Sequence, residues 1–440
     1  MKPGWNMTQD EALREVKWRL RTLEGTDEEF RALLHRLDED NLFHFDMYYL
    51  NYLSLFRDSL PLSRIREIAR DAARSKVWGG WEHSRYILRL LLEPPWDWQP
   101  GLAGWDLKRV GELLALGRGL MICTMHYGPF RHVLTDLPQA GIPVRIGLDS
   151  PMTRRFRWLV RKGLDLWDTQ AAGKCEKTPF LALAELHDVE EEKNATVALM
   201  NSLRGNGVVI FILDGNSGMD GQHGQSNTVP VNLLGCRMTA RTGAVQMALA
   251  AGSPLLFLLA EPGPEGRHSI GFAEEYIPEG RVKPTARRAL AEDLVRNMYT
   301  RLEERLKLHP ENWSNSCFLH AWRSRFVPKP PAMADADASV AGASLNQGYR
   351  FRFNDRRVAP VLPRSSKIGT VLVDIDTLSV FRMGDSLQPL FAGLSSPAGV
   401  DREWIRSCGL DYDAVVGVLA KLQRRSLVSA ASAEPLSAEN

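Results

Sequence analysis

The 440-residue chain carries 55 Lys and Arg against 53 Asp and Glu, a formal net charge of +2, so no global field draws it to nucleic acid or to an anionic membrane. Apolar content of 44% and charged content of 25% are those of a folded globular protein, and the length accommodates two or three domains. Five cysteines (Cys123, Cys175, Cys236, Cys317, Cys408), odd in number and without a CxxC pair, point to a reducing compartment and away from a disulfide framework or a thiolate zinc site. Met1–Leu20 has no signal-peptide core. The longest apolar run, Ala248–Ala260, is broken by Gly252 and Pro254 and falls short of the roughly 20 residues that a bilayer crossing needs. A cytoplasmic protein is the expectation.

In chain order, apolar residues recur at three- and four-residue spacing in Asp27–Leu37 and Leu62–Leu92, which predicts a helical region over 1–115 that packs on the core. Leu120–Met125 and Val144–Leu148 read as strands, Thr178–Ser202 as one long helix, and Gly207–Leu213 as a strand ending at Asp214. Thr239–Ala251 reads as helix, Pro254–Leu259 as strand and Ala286–Leu308 as a last long helix. This alternation over 116–327 predicts an α/β domain with a mostly parallel central sheet covered by helices. Residues 328–348, rich in Pro, Ala, Ser and Asp, read as a linker. A small α+β domain is expected over 349–428, with Thr370–Val373 and Ser379–Phe381 as a hairpin and Asp413–Leu427 as a helix, followed by a disordered tail over 429–440.

The chemistry concentrates at LMICTMHYGPFR (Leu120–Arg131). His126 stands at the exit of a buried strand, where its imidazole can serve as a general base near neutral pH. The turn Tyr127–Phe130 is a source of backbone N–H donors for an oxyanion, and Gly128 permits close approach. Asp214 and Gly215 end a second strand and lead into GNSGMDGQHGQ, whose glycines at 215, 218, 221 and 224 lack the GxxxxGK[ST] pattern of a phosphate-binding loop and read as an active-site loop. Arg154, Arg157 and Arg161 share one face of a predicted helix, with Arg155 and Lys162 beside them, a stripe suited to an acidic carrier or a phosphate. His132 reads as a surface residue, and Trp313 and Arg323 as packing and a salt bridge.

Four ordered blocks resemble the late lipid A acyltransferases of the lysophospholipid acyltransferase superfamily: GRGLMICTMHYGPFRHV, NSLRGNGVVIFILDGN, VPVNLLGCRMTARTGAVQMALAAGSPLLFLL and HPENW, with LPLSRIREIARDAARSKVWGGWEH similar to the helical lead-in. The resemblance spans roughly residues 55 to 330. It implies transfer of a fatty acyl group from an acyl thioester, on acyl carrier protein or coenzyme A, to a hydroxyl or amine, with His126 as base and no metal or redox cofactor. In that family a carboxylate five positions after the histidine completes the dyad; here that position is Arg131. Three readings stay open: another acid, Asp136 or Asp214, takes the role from a different element; the acceptor is an amine that needs less help; or the site binds without catalysing.

Gly128 and Gly215 are expected to shape the substrate site, and Arg131, Arg154 and Arg157 to meet a phosphate or the acceptor. The C-terminal segment weakly resembles PqqD-type winged-helix domains, which implies a peptide or carrier-bound acceptor rather than a glycolipid; a small-molecule or peptide acceptor is the expectation. Its basic residues, Lys421, Arg424 and Arg425, are too few for a DNA-recognition helix, so no nucleic-acid partner is expected. Peripheral membrane contact through the helical N-terminal region stays compatible with this reading, as does a non-catalytic acyl- or partner-binding protein.

Overall fold

The computed structural model of the chain describes residues 7–92, 100–170, 184–215, 227–327, 338–361, 371–382 and 385–432. They fall into two compact units, Met1–Phe45 with Ile68–Arg325, and Asp46–Glu67 with Phe326–Asn440. Among the described residues, no helix is long and apolar enough to cross a membrane.

The first unit is α/β. Its strands are β1 (Leu102–Ala103), β2 (Leu120–Thr124), β3 (Val144–Leu148), β4 (Ala184–Asp188), β5 (Val208–Ile212), β6 (Thr228–Leu233), β7 (Cys236–Arg241), β8 (Leu255–Glu261) and β9 (His268–Tyr276). Seven of them form one sheet in the order β1-β9-β8-β2-β5-β3-β4, while β6 and β7 form a separate hairpin. Strands β8, β2, β5, β3 and β4 run parallel, while β9 runs antiparallel to β8 and carries the short edge strand β1 parallel to itself. Every residue of β2 is buried, which is why LMICT reads as an unbroken apolar run rather than an alternation.

The helices of this unit include α1 (Gln9–Thr22) and α2 (Asp27–Arg36), each started by a threonine capping box, Thr8 with Glu11 and Thr26 with Glu29. α3 (Phe45–Phe56) falls, apart from Phe45, in the second unit; the first unit resumes within α4 (Leu62–Leu92) at Ile68 and continues through α5 (Leu107–Ala115), α6 (Val133–Gln139), α7 (Ser150–Gln170), α8 (Ala195–Arg204), α9 (Gly243–Ala251), α10 (Pro284–Leu306) and α11 (Leu319–Arg323). The chain enters β2 through Gly119, whose φ is +67° and where a Cβ would stand 2.4 Å from the Leu203 carbonyl oxygen, so the turn requires glycine.

Two expected elements differ. The predicted helix over 178–202 contains β4, with residues 178–183 outside the described ones, and only Ala195–Arg204 is helical in its second half. AELHD has helix-forming residues, but pairing with β3 overrides propensity, and Arg145 sits directly opposite Glu185 in an ion pair of 2.6 Å that favours this register. The helix expected from Thr239 begins at Gly243, because 236–241 form the second arm of the β6–β7 hairpin across the Leu234-Gly235 turn, where both residues have positive φ.

The second unit pairs β10 (Tyr349–Phe353) with β14 (Val428–Ser432) and forms a three-stranded antiparallel sheet from β11 (Val358–Val361), β12 (Val371–Asp374) and β13 (Val380–Arg382). The expected hairpin is the β12–β13 pair, with β11 added. Helices α12 (Ala338–Asn346), α13 (Gln388–Ser395), α14 (Arg402–Ser407) and α15 (Tyr412–Arg424) close a core around Phe351, Leu390, Val400 and Leu419. Two boundaries are thereby corrected. The expected linker becomes helical at Ala338, with 328–337 outside the described residues. The tail expected from 429 is instead an edge strand through Ser432, because its backbone completes the ladder of β10. The unit also includes Asp46–Glu67, where Arg57 ion-pairs with Asp376 at 2.6 Å.

Deleting Val428–Asn440 strips β10 of its partner and uncovers Phe351 and Phe353. The expected outcome is rapid proteolysis within 338–427, read by limited digestion and mass spectrometry; an unchanged digestion pattern would make that segment the dispensable tail that composition suggests.

Candidate active site

The parallel pairing of β2 with β5 sets the site. Thr124 is in register with Ile212, and the Leu213 N–H donates to the Thr124 carbonyl at 2.8 Å, so two residues further along both strands His126 and Asp214 arrive side by side at the carboxyl end of the sheet. Asp214 Oδ1 lies 2.9 Å from His126 Nδ1 and accepts the His126 backbone N–H at 2.8 Å. Both residues are buried, Asp214 completely. In open α/β sheets this end, next to a place where chain connections diverge, is where ligands bind.

The turn after α10 completes the shell. Trp313 donates its indole N–H to Asp214 Oδ2 at 2.8 Å, and Ser314 donates both N–H and hydroxyl to the His126 carbonyl. Asn315 Nδ2 donates to the Asp214 carbonyl at 3.0 Å and stands 2.8 Å from His126 Nδ1. Nδ1 cannot both donate to Asp214 and accept from Asn315. An ionised carboxylate only accepts, so the geometry favours Nδ1–H toward Asp214, which leaves Nε2 as the basic nitrogen. Asn315 carried no role in the sequence reading. Its one signal was its place two residues after Trp313, just beyond the HPENW segment.

His126 lines a cavity of about 410 Å³, within the roughly 300–1,000 Å³ of small-ligand sites. Leu148, Met152, Met200, Phe211, Met247 and Ala250 make its apolar wall; Asp149, Glu190, Asn227, Arg241 and Arg287 are its polar groups. Burial lowers the pKa of the Arg241 guanidinium, whose Nε and Nη2 have no hydrogen-bond partner among the described residues.

Several expected site residues are elsewhere. Asp136 is not the partner of His126: its carboxylate accepts the Gly101 and Leu102 N–H groups, the Trp105 indole and the Tyr86 hydroxyl at 2.8–3.2 Å, fastening the Gly101–Trp105 loop to α6. Burial pushes its pKa up to about 6, against the pull of those four donors. The Tyr127 and Gly128 N–H groups are spent on the Met125 and Asn312 carbonyls, so they do not serve an oxyanion. Gly128 instead allows the turn to pass β8, since a Cβ there would come 2.2 Å from the Ala260 carbonyl oxygen.

Arg131 is in contact with the aromatic neighbour of His126. Its guanidinium carbon lies 4.7 Å from the centre of the Phe130 ring, and that ring packs edge-on against His126. Arg154 and Arg157 pair with Glu191 and Glu192 on the exposed side of α7, so the basic stripe is neutralised there rather than bare. His132 is buried, not on the surface. Gly215 lines the cavity beside His126, and the glycine-rich segment 216–226 lies outside the described residues.

No family model matches the chain, and no curated protein matches it.

Asp136→Asn turns an amide toward donors that need an acceptor, and the expected cost is about 2–4 kcal/mol of stability. Because burial raises the folded-state pKa from 3.8 to about 6, the native protein holds a proton that the unfolded chain releases between those values, and stability falls as pH rises through that window. Chemical denaturation on both sides of the window should show this slope in the wild type and not in Asp136→Asn.

Proposed function

We propose that the chain is an acyltransferase that moves a fatty acyl group from an acyl thioester to a hydroxyl or amine acceptor. The observation that carries this reading is the His126–Asp214 pair, with His126 lining a mainly apolar cavity. A histidine held by a buried carboxylate is the part that a weak oxygen or nitrogen nucleophile needs, and an apolar cavity is the part that an acyl chain needs.

In this mechanism the acceptor O–H or N–H lies against His126 Nε2. The acceptor atom attacks the thioester carbonyl carbon as Nε2 takes its proton, giving a tetrahedral oxyanion and an imidazolium. Asp214 holds the Nδ1–H and stabilises that imidazolium without taking the proton. Collapse breaks the carbon–sulfur bond, and the departing thiolate receives the proton from Nε2, so the base returns to its starting form. Arg241 and Arg287 supply the positive charge along the cavity that a developing oxyanion requires, a role that the Tyr127–Gly128 turn does not fill.

The thioester donor is acyl carrier protein or coenzyme A. The C-terminal unit, with its β12–β13 hairpin and helices, suits the peptide-holding role that its resemblance to PqqD-type domains implies, which makes a peptide or small soluble molecule the acceptor class. The resemblance over residues 55–330 and the order of its four blocks support acyl transfer over mere acyl binding, because those blocks supply His126, Asp214 and Trp313 to a single site.

Purified protein, a panel of acyl thioesters and candidate acceptors should release free thiol with formation of an acylated product seen by mass spectrometry. His126→Ala and Asp214→Asn should each lower turnover roughly 10³–10⁴-fold, while Asp136→Asn, compared per folded molecule, stays near wild type. Undiminished turnover in His126→Ala would remove the acyl-transfer mechanism; acyl binding with no turnover by the wild type would make the chain a binding protein. Filling the cavity with Ala250→Phe should shift preference toward shorter acyl chains by at least about tenfold, since the ring displaces several buried methylenes at about 0.8 kcal/mol each.

A further inference from the structure

Apart from the His126 cavity, the first unit contains a second group of matched side chains. Glu82 from α4, His132 from the turn before α6 and His268 at the start of β9 each offer one ligating atom, and these atoms lie within 4.8 Å of one another. His132 and His268 are only 3% and 7% exposed, so neither imidazole meets bulk water. His268 Nε2 is 3.1 Å from Glu82 Oε1, and His132 Nδ1 has no hydrogen-bond partner among the described residues. A buried polar nitrogen left unsatisfied calls for a reason.

We propose that Glu82, His132 and His268 form a site for a divalent transition-metal ion. Two imidazoles and one carboxylate suit zinc, cobalt, manganese or iron(II), whereas calcium and magnesium prefer all-oxygen sets. Three protein ligands leave a coordination position open to an exogenous group, the pattern of reactive rather than purely structural sites. All three residues line one cavity of about 570 Å³, where Arg85, Arg89 and Arg267 outnumber the one further carboxylate, Asp27, so the lining favours an anion as the group that completes the shell.

Metal–nitrogen bonds of about 2.0–2.1 Å in tetrahedral geometry put ligating atoms roughly 3.4 Å apart. Glu82 and His268 already meet that spacing, and His132 closes on them by a movement on the order of 1 Å. The Gly263 N–H lies 3.4 Å from His268 Nδ1, a long contact. With a metal on Nε2, the single ring proton would sit on Nδ1, and the Gly263 N–H contact would be given up. The cysteine pattern gave no hint of this site because its ligands are nitrogen and oxygen donors from three distant segments. It is independent of the acyl-transfer reading.

The full-length protein, stripped with a chelator and desalted, is titrated with Co²⁺ as an optical probe and with Zn²⁺ in competition, and bound metal is counted by elemental analysis. The expected result is one equivalent bound, with at least about tenfold weaker affinity in Glu82→Gln and in His268→Ala. Glu82→Gln preserves shape, and circular dichroism of each metal-free variant checks the fold. His126→Ala should bind metal as the wild type does. No stoichiometric binding by the wild type, or wild-type affinity in Glu82→Gln, would overturn the proposal.

Discussion

Parallel hydrogen bonding between β2 and β5 is the constraint on which the site depends. Their register is fixed by five consecutive residue pairs, and continuing it two residues sets a histidine beside a carboxylate where neither is near the other in sequence. A one-residue slip would turn every side chain of β2 to the opposite face. Because all of β2 is buried and flanked by β5 and β8, that slip is blocked by apolar packing on both faces. The catalytic proposal therefore rests on sheet register, held by a strand that is buried along its whole length.

Around this pair, polar groups are satisfied by a segment that comes from the far end of the unit. Trp313, Ser314 and Asn315 bond to Asp214 and to the backbone of His126, and the Asn312 carbonyl takes the Gly128 N–H. Burying a carboxylate is costly unless donors surround it. Asp214 has the His126 N–H, the His126 Nδ1 and the Trp313 indole, so its charge is held in place without a cationic partner. Asp136 shows the same physics put to a different use: four donors, equal burial, and a loop fastened rather than a base oriented. A buried carboxylate is thus not in itself a catalytic signal; what it faces decides its role.

The strands built on long apolar runs, Leu120–Thr124, Val208–Ile212 and Leu255–Glu261, are legible because such runs survive any local context. AELHD was not, since an edge strand with Glu and His on it looks helical until its partner is known. The acid partner was legible only as a choice. Position 131 and Asp136 drew attention because they are near in sequence, but strand order β2-β5-β3 is not sequential, and neighbours in a sheet are invisible to spacing. Under the proposed acyl-transfer reading, Arg131 five positions after His126 is no defect, because Asp214 on the next strand stands beside the imidazole. Val428–Ser432, small and polar, gave no sign that it pairs with β10, because its contribution is backbone hydrogen bonding.

The proton on His126 is the most direct test of this account. Nitrogen-15 NMR of labelled protein, with the His126 signals assigned by their loss in His126→Ala, reports which ring nitrogen carries it. The account predicts a protonated Nδ1 with a downfield proton that disappears in Asp214→Asn, and an unprotonated Nε2 free to act as base. A neutral ring protonated at Nε2, with Nδ1 accepting from Asn315, would contradict it.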